Sequence, residues 1–334
     1  GKTASWLRGL SCRGKKGVAI SAMGELKATL FNGEVFDDNT VVILPKDDSD
    51  LEAIWELCSS GNYNSLVRSV DRSSKVRGAL LRVPFDRSRH PGAELPDIWS
   101  EDPSQWIFHG HPQPATEPLQ VAVVRLLGYH WPAESDTEME LSDEARTWIA
   151  RSAALNAFAD DDGIVCLSPL RGEKAADARL ETLLEAAFCE AWTPQRRNLL
   201  LEQVGAKSLD AWLRDKFFEQ HCKLFHHRPF IWQIWDGLKD GFSALVNYHK
   251  LDRNNLERLI YTYLDTWISD QQRAVSKGVE GADVRVAAAQ NLKDRLVRIL
   301  EGEAPYDIFV RWKPMEQQPI GWNPDLNDGV RLNI

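Results

Sequence analysis

The strongest constraint on this fold is a helical spacing of apolar residues in two long stretches near the end of the chain. The first stretch, 255–277, repeats them every three or four positions, at Leu256, Leu259, Ile260, Tyr263 and Leu264. The second stretch, 283–301, does the same at Ala287, Ala288, Leu292, Leu296, Val297 and Leu300. Such spacing gathers the apolar side chains on one face of each helix. Because the link between the stretches is short, the sequence predicts an antiparallel helix pair.

A β-hairpin is predicted just before this helix pair. Residues 228–235 and 242–248 alternate in polarity on either side of the segment 236–241, which contains two Asp-Gly steps. Alternation flanking a turn of this composition is typical of two antiparallel strands. Before the hairpin, Ser208 is predicted to cap a helix that runs to about Phe225.

The middle of the chain is predicted to be a loop followed by helices. The loop covers 87–118, where six prolines prevent regular structure: Pro91, Pro96, Pro103, Pro112, Pro114 and Pro118. Helices are predicted over 119–127, 142–158 and 175–191, and another begins at Thr193-Pro194. Residues 163–167 predict a short buried strand or a turn.

The N-terminal part predicts strands over 26–30 and 41–44, then helices over 51–58 and 63–70. A further strand is expected over 75–85, from the alternation of Ala79, Leu81 and Val83. The predicted fold class is therefore α+β, in three parts. Residues 1–88 form a small mixed α/β module and residues 89–205 a loop-rich, helical connector. Residues 206–334 hold a helix, the β-hairpin, the helix pair and an extended tail.

Composition places the chain among ordinary globular proteins. Of its 334 residues, 43% are apolar and 27% charged, and no apolar run reaches membrane-spanning length. The five cysteines are odd in number and widely spaced, which argues against a disulfide framework and against a zinc ribbon. The chain starts at Gly1, without an initiator Met or a signal core. We therefore expect a piece of a longer, cytoplasmic protein.

The charge distribution limits where nucleic acid could bind. The net charge of −9 opposes phosphate binding, but residues 1–89 carry 14 Lys and Arg against 11 Asp and Glu. Residues 90–334 carry 26 against 38. Any nucleic-acid face is thus expected in the N-terminal quarter, although an excess this small is equally compatible with no function. The candidate DNA-binding residues are Arg13, Lys15, Lys16, Arg68, Arg72, Lys75 and Arg77. The alternative for them is a solvated charged surface.

Other candidate chemistry has weaker support. Histidines and a cysteine occur in two groups, but their spacing matches no standard metal motif: His109, His111, His221, Cys222, His226 and His227. The acidic runs 160–163 and 325–329 lack calcium-loop spacing, so turns are expected there. Glycine-rich phosphate loops and nucleophile motifs are absent from the sequence. Five tryptophans offer base stacking or, more simply, core and tail anchors: Trp232, Trp235, Trp267, Trp312 and Trp322.

Four segments of the last third carry a resemblance to a known family. They are Arg228-Pro-Phe-Ile-Trp-Gln-Ile-Trp-Asp-Gly237, Phe242-Ser-Ala-Leu-Val-Asn-Tyr-His249, Pro305-Tyr-Asp-Ile-Phe-Val-Arg-Trp-Lys-Pro314 and Gln318-Pro-Ile-Gly-Trp-Asn-Pro-Asp325. These sequence segments resemble the C-terminal part of large adenine-specific DNA methyltransferases. Such enzymes occur in DISARM and BREX phage-defence systems and among single-chain type IIG restriction-modification enzymes.

A second resemblance covers residues 15–86. A strand ending in Ile43-Leu-Pro45, two helices, a basic loop and Val83-Pro-Phe85 are similar to the target recognition domains of restriction-modification enzymes. The family has a polar run before the last strand, where this chain has Val76-Arg77-Gly78. Individual base contacts are therefore not carried over.

The resemblance implies a function and also a missing part. The family flips adenine into a pocket built on an Asn-Pro-Pro-Tyr type motif and binds S-adenosylmethionine on a separate N-terminal lobe. In this chain the nearest string is Asn323-Pro324-Asp325, without the second proline and the aromatic. We therefore expect the DNA-recognition portion of such an enzyme, inactive alone and holding no cofactor or metal itself. Its expected partners are double-stranded DNA, the missing methyltransferase lobe and other defence-system subunits, with no membrane. The alternative is a protein-interaction scaffold of a defence complex.

Overall fold

A small antiparallel sheet organises each of the two compact units of the chain. The computed structural model describes residues 10–33, 36 and 38–302. The N-terminal unit ends at Asp97 and the C-terminal unit begins at Ile98. Both units combine antiparallel strands with helices, so the predicted α+β class is confirmed.

The sheet of the N-terminal unit has the strand order β2-β1-β3. Its strands are β1 (Gly17–Ser21), β2 (Ala28–Phe31) and β3 (Thr40–Ile43). Helices α1 (Leu51–Ser59), α2 (Tyr63–Val70) and α3 (Arg77–Leu80) follow in the chain. A short 3-10 turn, Asp48–Asp50, leads into α1 and is capped by Asp47. The predicted strands β2 and β3 and helices α1 and α2 are confirmed, so the first half of this unit follows its local sequence pattern.

The central strand β1 was not predicted. It pairs with β2 on one side and β3 on the other, with Val18 opposite both Leu30 and Ile43. Because its first four residues are all buried, it reads as a short apolar run without the alternation of a half-exposed strand. Gly17 belongs to this packing, since a Cβ there would lie 2.5 Å from the Ile43 carbonyl oxygen.

The predicted strand over 75–85 is wrong. Residues 77–80 form α3, and this segment touches the sheet through one bridge, between Met23 and Lys75. The reason is visible in burial, because the core takes Val76, Ala79, Leu80 and Val83, a helical spacing of three and four. Leu81, on which the alternation depended, is 66% exposed.

The sheet of the C-terminal unit has the order β4-β6-β5, all antiparallel. Its strands are β4 (Ile164–Cys166), β5 (Ile231–Trp235) and β6 (Ser243–Asn247). The predicted hairpin and the short buried strand are thus confirmed. Among the described residues, seven helices precede β5 in this unit: α4 (Pro118–Leu126), α5 (Pro132–Ser135), α6 (Asp143–Ala154), α7 (Ala176–Phe188), α8 (Pro194–Gln203), α9 (Leu209–Asp215) and α10 (Phe217–Leu224). The sequence predicted the last two as one helix.

The predicted single helix from Ser208 to Phe225 breaks at Lys216. Ser208 does cap its start, accepting a hydrogen bond from the Ala211 amide at 3.2 Å. Trp212 and Phe217 are both fully buried, and five residues of one helix would place them about 140° apart. The break lets α9 and α10 each turn an aromatic into the same core.

This sheet separates two hydrophobic cores. Val165 and Leu245 face a core with helices α4, α7, α8, α9 and α10. Their neighbours along the strands, Ile164, Ala244 and Val246, face a second core. That core is closed by α11 (Arg253–Arg258), a π-helical segment (Leu259–Leu264), α12 (Asp265–Ser276) and α13 (Ala282–Glu301). Alternate residues of a strand point to opposite faces, which is why one short sheet serves both cores.

The antiparallel helix pair is confirmed. Lys293 of α13 reaches Asp265 at the start of α12, with Nζ 2.6 Å from Oδ1. Arg285, eight residues earlier in α13, donates to Gln271, later in α12, at 2.7 Å. Partners that run in opposite directions along the two helices define the antiparallel arrangement. The extended tail predicted after Gly302 lies outside the described residues.

The units group the chain differently from the three predicted parts. Strand β4 comes from the predicted connector and β6 from the predicted C-terminal part, yet they pair in one sheet. The domain boundaries near residues 88 and 205 stay a prediction. Within the described ranges, none of the helices is long and apolar enough to traverse a bilayer.

Two adjacent leucines test the corrected segment around α3. Replacing buried Leu80 by Ala should lower the free energy of unfolding by roughly 2–5 kcal/mol, because a cavity is left in the core. Replacing exposed Leu81 by Ala should change it by less than ~0.5 kcal/mol. Denaturant unfolding of the two variants measures both values. A larger loss for Leu81 than for Leu80 would contradict the helix and restore the strand.

Candidate nucleic-acid interface and cavity

The first group of candidate DNA-binding residues precedes β1. Arg13, Lys15 and Lys16 are exposed and follow a 3-10 turn, Leu10–Cys12. The backbone there is tied down, since the Gly14 amide donates to the Gly33 carbonyl at 3.3 Å. Three cations are therefore displayed on a short segment that leads directly into the central strand.

The second group lies at the other end of β1. Arg68, in the last turn of α2, donates from Nη2 to the Gly24 carbonyl at 3.0 Å and from Nη1 to the Ser73 carbonyl. The Val76 amide donates to the Ala22 carbonyl at 3.0 Å. These bonds hold the loop that carries exposed Arg72 against the turn after β1.

Asp38 compensates part of the charge of this second group. Its Oδ2 lies 2.9 Å from Lys75 Nζ and also pairs with the Arg77 guanidinium. These side chains are about one-third exposed, so the pairing is screened by water and the cations stay accessible. A phosphate approaching this surface would compete with Asp38 for both cations.

The structure brings the candidates together as two groups and leaves the groups apart. One precedes and the other follows β1, a strand of five residues, which corresponds to roughly 17 Å. Arg68, Lys75 and Arg77 surround one turn, and Arg13, Lys15 and Lys16 surround the opposite end.

The histidines of the Pro-rich loop are structural. The His111 amide donates to His109 Nδ1 at 2.9 Å, and the Gln113 amide donates to His111 Nδ1 at 3.1 Å. Burial, followed by the positive charge of Arg125 and other nearby groups, lowers the pKa of His109 to about 3 and that of His111 to about 4. Both are therefore neutral acceptors that fix the loop.

The third buried histidine also serves the fold. His221 Nε2 accepts from the Ile231 amide at 3.2 Å, and its Nδ1 lies 3.2 Å from Gln120 Oε1. The ring thus joins α10, α4 and β5. Within the described residues, no cluster of His, Cys, Asp or Glu has the arrangement of a metal site.

The acidic run 160–163 forms a buried polar hub that the sequence did not indicate. Asp160 Oδ1 accepts from the amides of Asp162, Gly163 and Ile164 at 3.0–3.2 Å, and its Oδ2 pairs with Arg179 of α7 at 2.9 Å. The run is a turn, as expected, but its side chains also hold α7 against the start of β4.

Asp162 extends this hub to the second core. Its Oδ2 accepts from Arg258 Nη1 at 3.1 Å and from the Tyr263 hydroxyl at 3.0 Å. Burial opposes ionisation, but hydrogen bonds with Asp160, Arg258 and Tyr263 outweigh it and hold the pKa of Asp162 below its usual value. Tyr263 belongs to the π-helical segment, so the extra residue of that turn aims its ring at the carboxylate.

A cavity of about 650 Å³ opens beside this hub in the C-terminal unit. Its lining contains five aromatic residues, three histidines and two cations; the aromatics are Trp106, Tyr129, Trp131, Phe225 and Phe230, the histidines His130, His226 and His249, and the cations Arg228 and Lys250. Among the described residues that line it, Asp136 is the one acid.

The cavity residues come from segments far apart in sequence. They belong to the Pro-rich loop, to the segments that follow α4 and α10, and to the end of β6 with the residues after it. The quoted motifs around Arg228 and His249 supply part of one wall. Their local pattern predicted strands correctly, whereas only the fold shows that the ends of these motifs line one space with Trp106 and Tyr129.

The candidate tryptophans have different environments. Trp267 is buried in the second core, and Trp232 stacks on Tyr248 with ring centroids 5.1 Å apart. Trp235 is 51% exposed at the end of β5. Trp312 and Trp322 lie outside the described residues. Trp106, which no pattern singled out, is 63% exposed at the cavity.

The comparisons with known proteins point in one direction. Family models give no match to the chain. The chain is similar to the adenine-specific methyltransferase BrxX of Escherichia coli O9:H4 (strain HS), 25% identical over 166 residues. It is also similar to the adenine-specific methyltransferase PglX of Lacticaseibacillus casei (strain Zhang), 36% identical over 199 residues.

These similarities cover about half of this chain but a small part of the relatives. They span 48% and 56% of the chain, and 13% and 16% of BrxX and PglX respectively. The chain is therefore related to adenine-specific methyltransferases, and it spans well under a fifth of the length of these relatives.

The buried histidines predict a pH dependence of stability. In the unfolded chain their pKa returns to about 6.5, so that the unfolded state binds more protons between pH 6.5 and 4. Stability should be complete above pH 6.5 and fall on acidification, by up to about 1.4 kcal/mol per pH unit for each histidine. Denaturant unfolding at stepped pH measures the slope. His111→Asn keeps an acceptor near the position of Nδ1 and should reduce the slope of stability against pH. His226→Asn, at an exposed site, should leave this slope unchanged. An unchanged slope in His111→Asn would contradict the assignment.

Proposed function

We propose that this chain is the DNA target-recognition portion of an adenine-N6 DNA methyltransferase that acts in phage defence or restriction-modification. The observation that carries the proposal is the similarity to two adenine-specific methyltransferases over half of this chain and under a fifth of theirs. A fragment of that size, without an Asn-Pro-Pro-Tyr type motif, fits a recognition portion better than a catalytic one.

The N-terminal unit provides the proposed DNA contacts. Its two cationic groups lie before and after β1, a strand that is roughly 17 Å long, about half of one turn of B-DNA, and both groups are proposed to contact phosphates of one duplex. In the second group, Lys75 and Arg77 exchange Asp38 for phosphate, and Arg72 is exposed beside them. The resemblance over 15–86 predicts a strand at the end of the recognition domain, whereas the structure has helix α3 there. The resemblance therefore supports DNA recognition by this unit less than its two cationic groups do.

The proposal predicts a specific set of DNA-binding changes. Replacing Arg72, Lys75 and Arg77 together by Ala should weaken duplex binding and flatten the slope of log affinity against log salt, by roughly 0.9 per lost phosphate contact. Asp38→Asn should strengthen binding, because it removes the competing carboxylate. The measurement is a duplex titration at several salt concentrations.

The matched control removes the same charge elsewhere in the unit. Lys46, Arg87 and Arg89 are exposed and outside both groups, so their joint replacement by Ala should have a smaller effect than the first triple variant. Equal losses in the two triple variants would mean that net charge alone binds DNA. Wild-type affinity and slope in the first variant would exclude those three residues from the interface.

A second prediction concerns the cofactor. The full enzyme is proposed to use S-adenosylmethionine, held by the N-terminal methyltransferase lobe that would be this chain's partner. The chain alone should therefore show no heat of binding when titrated with S-adenosylmethionine, and no transfer of labelled methyl groups to DNA. Micromolar binding of S-adenosylmethionine by this chain would contradict the assignment of the cofactor site to a separate lobe. The proposed duplex recognition is tested separately by the DNA titration.

One observation favours a second function, a protein-interaction scaffold within a defence complex. Three valines around the turn of the helix pair are about half exposed: Val275, Val279 and Val284. Apolar side chains gathered at one end of a helical pair suit a protein partner. Absence of salt-sensitive duplex binding by the wild-type chain at low ionic strength would favour this function over DNA recognition.

A further inference from the structure

The cavity of the C-terminal unit combines two features that the proposed DNA surface does not use. Aromatic residues line it, and so do two cations, Arg228 and Lys250, that pair with no carboxylate among the described residues. Its volume of about 650 Å³ lies within the range of small-molecule sites. The two features together indicate the chemistry of a ligand.

The aromatic floor is rigid. Tyr129 packs on Phe230 with ring centroids 4.4 Å apart and on His249 at 5.2 Å. Phe230 is also held by Phe225 at 4.7 Å. Because each ring is fixed by its neighbours, a planar ligand meets surfaces that lose little entropy on binding. At the rim, Trp106 presents its indole largely to solvent, as a stacking platform does.

The cationic wall is fixed at Lys250. Its ammonium donates to the carbonyls of Asp160 and Asp161 at 3.1 and 3.2 Å, and it passes over Gly128, where a Cβ would come within 2.4 Å of Nζ. Carbonyl partners orient the ammonium without neutralising it. Two of its three N–H donors are used, which leaves one for a ligand.

Arg228 supplies a second positive charge in the same lining. Within the described part of the chain, neither Arg228 nor Lys250 has a carboxylate within 4.0 Å. Asp136, the acidic residue of the lining, accepts from the Glu138 amide at 3.0 Å and pairs with neither of these cations. The wall therefore remains an anion site, and Arg suits a phosphate in particular.

The backbone beside Arg228 is held in an unusual conformation. His226 and His227 both have positive φ, +53° and +60°, although neither is glycine. Side chains in this region are disfavoured by roughly 1–2 kcal/mol each, and such residues concentrate at ligand sites. Here they end α10 and turn the chain so that His226 and Arg228 both face the cavity.

We propose that this cavity binds a nucleoside phosphate, with the base stacked on the aromatic surfaces and the phosphate at Lys250 and Arg228. A base needs a planar apolar face, a phosphate needs uncompensated cations, and the cavity has both. The proposal goes beyond duplex recognition, since its residues all belong to the C-terminal unit. The ligand is either a free nucleotide or one nucleotide of an unpaired strand.

The test is a binding titration of the full chain with adenosine monophosphate. Ribose 5-phosphate probes the phosphate part of the ligand alone, and adenosine probes the base part alone. The monophosphate should bind more tightly than either half. Trp106→Ala and Arg228→Ala alter exposed side chains and should each raise its Kd by roughly tenfold. Trp235→Ala and Lys207→Ala remove a matched exposed indole and a matched cation outside the cavity, and should not change the Kd. Lys250→Met should abolish binding, and its thermal unfolding reports separately on folding.

The source of the nucleotide is decided by competition. Displacement of the monophosphate by a single-stranded oligonucleotide assigns the site to an unpaired strand, and lack of displacement assigns it to a free nucleotide. The proposal is overturned if the monophosphate and the oligonucleotide both fail to bind at low salt. It is also overturned if ribose 5-phosphate binds equally well, or if the Trp106 and Arg228 variants bind like the wild type. None of these results depends on the Arg72, Lys75 and Arg77 variant, so the two proposals fail independently.

Discussion

The C-terminal unit depends on the carboxylates of Asp160 and Asp162. They occupy one turn between the first core and β4, and their oxygens accept from three backbone amides, two arginines and a tyrosine. Both side chains are at most 10% exposed, so loss of a hydrogen-bond partner would leave a carboxylate oxygen buried without compensation. The backbone carbonyls of Asp160 and Asp161 in this turn also accept hydrogen bonds from Lys250. One polar turn therefore joins α7, the sheet and the π-helical segment, and also orients the cation of the cavity.

Local pattern predicted the elements whose burial follows a single period. Helices α1 and α2 and the α12–α13 pair each bury one face, so spacing along the chain identifies them. The hairpin of β5 and β6 is buried on both faces of β6, and its turn composition helped to identify it. The sequence-based predictions failed for a strand that is buried on both faces and for a helix of only one turn. Strand β1 is buried on both faces and has no alternation, and the four-residue α3 is too short for its spacing to outweigh the β-like run Leu80-Leu81-Arg82-Val83.

The candidate sites show a different limit. Exposed cations could be named from the sequence, but Asp38, which pairs with Lys75 and Arg77, is 37 residues away from Lys75 and became their neighbour only through β3 and β1. The cavity is a stronger example, because Trp106, Tyr129, Arg228 and Lys250 belong to four segments of the chain. The hub was missed for the opposite reason. Residues 160–163 read correctly as a turn, and a turn motif carries no information about what its side chains reach.

Local charge, more than net charge, governs what this chain can bind. A total of −9 suggests repulsion of any phosphate, but charges farther than about 8 Å are largely screened at physiological salt. Within that radius the relevant question is which carboxylates touch the cations. At Lys75 and Arg77, the partly exposed Asp38 does so among the described residues, and a phosphate would compete with it. At Lys250 the partners are carbonyl oxygens, so the charge is oriented without being cancelled. An acidic protein can thus keep discrete anion sites, provided that the fold places its carboxylates elsewhere, as the paired acids of the hub do with Arg179 and Arg258.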